Sequence, residues 1–93
     1  MDISYVTWDE RKREANLVTH GLDFADVIAV LDGPCLIGPA TAVGGEDRRV
    51  AVGVLEDVAV AVIFTMRGSV LRVISMRRAR RVERTRLHDA FGR

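Results

Sequence analysis

The chain contains little that would send it out of the cell or into a membrane. Its only cysteine, Cys35, has no partner for an internal disulfide, and the first residues lack the basic region and apolar stretch of a signal peptide. The longest apolar run, residues 58–64, is far shorter than the roughly 20 residues of a membrane-spanning helix. We therefore expect a cytoplasmic protein without a membrane span, folded as one domain over residues 1–93.

Several kinds of catalytic site are missing too. The two histidines, His20 and His88, have no cysteine or carboxylate at the spacing of zinc ligands, so we expect no metal and no cofactor. Gly44 and Gly45 are not followed by the Lys-Ser/Thr ending of a Walker phosphate loop. Cys35 lies in a Gly-Pro-Cys turn with nothing to activate it as a nucleophile. The remaining chemistry is that of a metal-free arginine site.

The charge is distributed unevenly along the chain. Residues 1–66 carry five basic and eleven acidic side chains, a net charge of −6, whereas residues 67–93 carry nine basic and two acidic side chains, a net charge of +7. All nine of those basic residues are arginine, which binds phosphate bidentately and stays protonated. A nucleic-acid contact, an acidic protein partner and a solvated face are all consistent with such a segment.

A row of polar residues marks the first predicted helix. Lys12, Asn16 and His20 are spaced by four, so they lie along one helix face, which is either solvated or one wall of a site. The helix begins at the capping-box pattern Thr7-x-x-Glu10, or at Asp9 as an alternative cap, and ends before a glycine. A strand over residues 3–7 precedes it.

A second helix follows, capped by Asp23. Its apolar positions recur at helical spacing and are expected to pack on the core: Phe24, Val27, Ile28 and Leu31. It ends at the Asp-Gly-Pro sequence of residues 32–34.

In the middle of the chain the apolar residues no longer recur at helical spacing. Residues 48–55, 58–65 and 70–76 are rich in valine and isoleucine and joined by hairpin-length turns, which predicts an antiparallel sheet with 58–65 central. Residues 38–47 are expected to form an irregular loop.

Residues 77–91 are predicted to form a C-terminal helix whose clear apolar positions are Ala79, Val82 and Leu87. The fold class is therefore α+β, with two N-terminal helices, three to four strands and a C-terminal helix.

An arginine site suits attack of an RNA 2′-hydroxyl on the adjacent phosphate, because fixed guanidinium groups stabilise the negative charge of the transition state. Lys12 or His20 can supply the base or the acid. Arg67, Arg72 and the Ser-Met-Arg-Arg sequence of residues 75–78 are phosphate-binding candidates. Their structural alternatives are a hairpin surface charge, an edge-strand arginine and a serine N-cap.

The chain also resembles a known family, the BrnT toxins of bacterial type II toxin-antitoxin modules. The resemblance covers most of the chain in three ordered blocks: W-D-x-x-K-x-x-x-N-x-x-x-H-G-x-x-F from Trp8 to Phe24, Glu46-x-Arg48 to Gly53 with Thr65-x-Arg67, and R-x-I-S-x-R-R-A from Arg72 to Ala79 with Glu83-Arg84. Three positions depart from it. Thr19 stands where the family usually has lysine, and Leu87 where it commonly has an aromatic residue. Arg49 follows Arg48, where the family often has an aromatic residue.

The resemblance implies a RelE-like fold and a ribonuclease that arrests translation. It also implies a cognate BrnA-like antitoxin with a ribbon-helix-helix domain, through which the complex contacts promoter DNA.

The leading hypothesis is thus a small ribonuclease toxin. Its predicted catalytic residues are Lys12, His20, Arg67 and Arg77, and its predicted substrate-binding residues are Asn16, Arg48, Arg72 and Arg78. The antitoxin is expected on a face formed by Arg72, Arg77, Arg78 and Arg81. The alternative is a non-catalytic, arginine-rich module that binds nucleic acid or an acidic protein.

Overall fold

A computed structural model describes residues 2–40 and 47–92. The elements in chain order are β1 (Tyr5–Thr7), α1 (Glu10–His20), a 3₁₀ turn (Phe24–Asp26), α2 (Val27–Asp32), β2 (Leu36–Pro39), β3 (Arg48–Leu55), β4 (Val58–Arg67), β5 (Val70–Arg78) and α3 (Arg81–Phe91). The strands form one sheet in the order β1-β5-β4-β3-β2, in which only β1 pairs in parallel. The α+β class and the central position of β4 are confirmed.

Helices cover both faces of this sheet. On one face, Phe24, Val27 and Val30 of the 3₁₀ turn and α2 are buried in the larger apolar cluster, which includes Val62 and Phe64 of β4. On the other face, Leu87 of α3 is buried in a smaller cluster with Val52, Ala61 and Ala79. We call these the α2 face and the α3 face.

Gly53 lets α2 approach the sheet closely. A Cβ atom at this position would lie 2.9 Å from Cγ1 of Val30 and 3.1 Å from the Val30 carbonyl oxygen. Such contacts leave no room for a side chain, so the packing of α2 depends on glycine here.

A β-bulge interrupts β5. Val73 pairs with Phe64 and Ser75 pairs with Ile63, so Ile74 is an extra residue without a partner on β4. Because side chains alternate along a strand, the extra residue reverses which side chains face the α3 side beyond it.

Asn16 anchors α1 beside this bulge. Its side-chain oxygen accepts a hydrogen bond from the backbone N–H of Met76 at 3.2 Å, and its side-chain nitrogen donates to the Leu22 carbonyl at 3.0 Å. β1 pairs with β5 only as far as Arg72, so the amide of Asn16 meets the edge of β5 beyond the end of β1. Asn16 is the only residue of α1 that is classed as buried, so polar contacts take the place of an apolar helix face.

A second polar contact links α1 to the turn after it. Arg13 donates two hydrogen bonds to the carboxylate of Asp23, at 2.8 and 3.0 Å. The Arg13 guanidinium, together with the backbone N–H of Ala25, lowers the pKa of Asp23 to about 2. The ion pair fixes the angle between α1 and the 3₁₀ turn.

Four expectations about the strands and loops need correction. The sheet has five strands and is mixed, because β1 adds a parallel strand and β2 forms over residues 36–39. Part of the expected loop over residues 38–47 is therefore strand, and residues 41–46 lie outside the described part of the chain. The first strand is shorter than predicted, and β5 continues through Arg78, so α3 begins at Arg81 rather than at Arg77.

The helices also differ in detail. Ile28, expected in the core, is 41% exposed, and Val30 is buried instead. Val82, one of the apolar positions of the C-terminal helix, is 61% exposed. The predicted second helix is a 3₁₀ turn joined to a short α-helix, which rotates its buried face. Asp9, rather than a capping box at Thr7, caps α1 by accepting from the backbone N–H groups of Arg11 and Lys12. Among residues 2–40 and 47–92 no helix is long and apolar enough to cross a membrane.

We expect Asn16→Ala to destabilise the fold by about 1–3 kcal/mol, because it leaves the buried N–H of Met76 without an acceptor. Urea unfolding measures the change. Val18→Ala, at an 89% exposed position on the same helix, is the control and should cost less than about 0.5 kcal/mol. Equal losses from the two variants would contradict a structural role for the amide.

Candidate active site

Four arginines from three adjacent strands share the α3 face of the sheet. Arg48 of β3 and Arg72 of β5 both pair with Thr65 of β4, so they flank it on the same side. Arg67 lies two residues after Thr65 on β4 and faces the same way. The bulge brings Arg77 to this face as well, since Arg77 pairs with Ala61, four residues before Thr65.

Part of this face forms a cavity of about 630 Å³ between the sheet and the start of α3. We call it the arginine cavity. Its charged lining is Arg48, Arg77, Arg80 and Glu83; the other described lining residues are Pro39, Ala40, Val50 and Ile63. Three guanidinium groups and one carboxylate thus meet in one concave site, which suits an anionic ligand.

An ion pair in the cavity joins β5 to α3. Arg77 donates to the two carboxylate oxygens of Glu83, Nη1 to Oε1 at 2.7 Å and Nη2 to Oε2 at 3.0 Å. The pair lowers the pKa of the Glu83 carboxyl and raises the pKa of the Arg77 guanidinium. Glu83 also accepts from the backbone N–H of Arg80 at 2.7 Å, which caps α3. Both partners are mostly buried, so the guanidinium of Arg77 is held in a fixed orientation.

The remaining predicted residues lie elsewhere. His20 and Arg78 line a different cavity of about 300 Å³, together with Leu55, Glu56 and Val58 at the β3–β4 hairpin. Arg78 pairs with Val60, a residue of the α2-face core, so it points away from the arginine cavity. The structure therefore does not bring His20 and Arg77 into one site.

Lys12 and Asn16 both lie on α1, one turn apart, as their spacing predicts. Lys12 is exposed one turn before Asn16 on α1. The amide of Asn16 already bonds to Met76 and Leu22, so its contacts are structural. Its predicted role toward substrate is untested.

The four residues proposed as one antitoxin-binding face do not form one. Arg72 and Arg77 are on the α3 face and Arg78 is on the α2 face, because consecutive residues of a strand point to opposite sides. Arg81 is exposed in the first turn of α3. The prediction that these four arginines share one face is wrong. It assumed that residues 77 and 78 begin the C-terminal helix, whereas both belong to β5.

Sequence reasoning missed two residues of the cavity, Arg80 and Glu83. Glu83 was part of the family resemblance, and its spacing of three from Arg80 is that of a helix cap, but neither signal showed that the carboxylate would face Arg77. Glu46, also part of that resemblance, lies outside the described residues.

The departures from the family pattern fall in different environments. Leu87 is buried between α3 and the sheet, so its aliphatic side chain serves packing. Thr19 is exposed on α1, next to His20.

Metal binding and thiol catalysis are two other chemistries that a small domain can support. Within residues 2–40 and 47–92 no three His, Cys, Asp or Glu side chains are grouped to hold a metal ion. Cys35 is half-buried, and burial raises the pKa of its thiol, which opposes activation as a nucleophile.

Comparisons with known proteins give one family and one similar crystal structure. Residues 8–83 match the family model described as the ribonuclease toxin BrnT of type II toxin-antitoxin systems. The crystal structure of the Brucella abortus ribonuclease toxin BrnT is similar at 41% sequence identity and a TM-score of 0.68, covering 83% of this chain and 97% of that one. No curated protein matches the chain.

Proposed function

This chain belongs to the BrnT family of ribonuclease toxins of type II toxin-antitoxin systems, and from that premise we propose that it cleaves RNA in the arginine cavity without a metal ion. Cleavage takes place in the cytoplasm, and the loss of RNA inhibits translation. The fold is of the RelE-like kind. The observation that carries the proposal is the meeting of Arg48, Arg77 and Arg80 in one concave site.

The cavity suits phosphoryl chemistry for an electrostatic reason. When a 2′-hydroxyl attacks its phosphate, the phosphoryl oxygens gain negative charge in the transition state. A guanidinium that is already oriented stabilises this charge without reorganising, and Glu83 orients Arg77 in this way. Arg67 and Arg72 lie on the same face of the sheet, and we expect them to hold neighbouring phosphates of the RNA strand.

The proposed antitoxin is a BrnA-like protein with a ribbon-helix-helix domain, through which the complex contacts its promoter. Its docking surface is the exposed side of α3, which carries Arg81 and the 61% exposed Val82. An acidic, amphipathic segment complements this surface in charge and covers its apolar residue. Bound there, it lies at the rim of the arginine cavity and excludes RNA from it.

The purified chain should cleave RNA in excess EDTA and leave 2′,3′-cyclic phosphate ends, because the proposed reaction uses guanidinium groups and the substrate's own 2′-hydroxyl. Gel electrophoresis and mass spectrometry of the products measure this. Activity lost on chelation and restored by Mg²⁺ would contradict the proposal, as would binding without cleavage.

Arg77→Ala should lower the cleavage rate by about 10²-fold, the scale of removing one preorganised donor from a transition-state site. Arg11→Ala is the matched control, since Arg11 is an exposed arginine on α1, and it should cleave as the unmodified chain does. Thermal melting of both variants separates a loss of activity from a loss of fold. Equal small effects would show that the arginines act only as a diffuse positive field.

Arg81→Glu should slow association with the antitoxin and weaken the dependence of the association rate on salt, because electrostatic steering is screened over about 8–10 Å at physiological ionic strength. Stopped-flow fluorescence measures both. Arg11→Glu is the control for the change in net charge. If the two variants behave alike, the antitoxin does not dock on α3.

A further inference from the structure

The arginine cavity needs a group that accepts a proton, and the two candidates named from the sequence are not in its lining. His20 lines the cavity beside Arg78, and Lys12 is exposed on α1. Among the described residues that line the arginine cavity, Glu83 is the one whose side chain is a base that can accept a proton from a substrate, because the others are arginine, proline or aliphatic.

The two oxygens of this carboxylate are bonded unequally. Oε1 accepts from Nη1 of Arg77 and from the backbone N–H of Arg80, both at 2.7 Å. Oε2 accepts from Nη2 of Arg77 at 3.0 Å. A carboxylate has about four lone-pair positions, two on each oxygen, so Oε2 retains one that Arg77 does not occupy. The side chain lines the cavity and is 18% exposed, so a ligand in the cavity can reach the carboxylate.

We propose that Oε2 of Glu83 accepts the proton of the attacking RNA 2′-hydroxyl, an inference that rests on the proposed ribonuclease function. As the proton leaves, O2′ bonds to phosphorus and the bond from phosphorus to O5′ breaks. The leaving O5′ is protonated by water, and the Glu83 carboxyl returns its proton to solvent. The products are a 2′,3′-cyclic phosphate and a 5′-hydroxyl, with no water consumed and no oxidant or reductant involved.

The neighbouring arginine gives this assignment a distinct pH dependence. Arg77 lowers the pKa of Glu83, so the carboxylate is ionised and able to accept a proton throughout the neutral range. Cleavage should therefore persist as the pH falls through the range in which histidine becomes protonated, near pH 6.5, and decline only below about pH 4.5.

The test is the pH dependence of single-turnover cleavage by the full chain and by Glu83→Gln. The glutamine retains an oxygen that accepts from Arg77 but cannot take up a proton. We expect the variant to cleave at least about 10²-fold more slowly at neutral pH and to lose the decline at low pH. Glu83→Asp should keep the decline at a reduced rate. Asp89→Asn, an exposed carboxylate on the same helix, is the control and should leave both rate and profile unchanged.

Three outcomes would overturn the inference while leaving the ribonuclease function intact. One is a wild-type decline centred near pH 6.5 that His20→Ala removes. Another is a slower Glu83→Gln variant that keeps the wild-type profile, because Glu83 would then only position Arg77. The third is a decline removed by Glu46→Gln and not by Glu83→Gln. A wild-type chain that cleaves no RNA at any pH would overturn the proposed function itself.

Discussion

One extra residue in β5 decides which arginines can act together. Arg72 and Arg77 are five positions apart, an odd spacing that would place them on opposite faces of a regular strand. Because Ile74 is bulged out of register with β4, both side chains face α3. Asn16 meets the backbone of β5 just beyond the bulge, at Met76. Asn16, the buried member of the polar row on α1, thus supports the strand that carries the site at the edge of that strand.

The pair formed by Arg77 and Glu83 turns this arrangement into a cavity. It ties the end of β5 to the first turn of α3 and leaves the carboxylate beside three guanidinium groups. In the proposed reaction, the same contact orients Arg77 for phosphate and keeps Glu83 beside it as the proton acceptor. The arginines behind the net charge of +7 over residues 67–93 therefore lie in different places. Arg77 and Arg80 line the arginine cavity, and Arg81 is exposed on α3. Arg78 lines the separate cavity that contains His20.

Sequence patterns predicted the elements better than they predicted the site. Period-two apolar runs located β3, β4 and most of β5, and Gly21 does end α1 in the left-handed conformation. The first strand was predicted over residues 3–7, and β1 forms over three of them. β2 was not predicted, because its four residues are too few to show a period. The site was less predictable, because the pattern of apolar residues in β5 does not show where the bulge lies. The family resemblance supplied Arg48, Arg77 and Glu83 as members of a pattern, but which face each occupies is set by the register.

The most direct test of this account is to locate bound RNA. A non-cleavable 2′-deoxy oligonucleotide can be titrated into the chain while NMR follows the assigned arginine Nε–H signals. We expect the largest shifts at Arg48, Arg77 and Arg80, the three arginines that line the arginine cavity among the described residues. Shifts concentrated at His20 and Arg78, with those three signals unmoved, would contradict it.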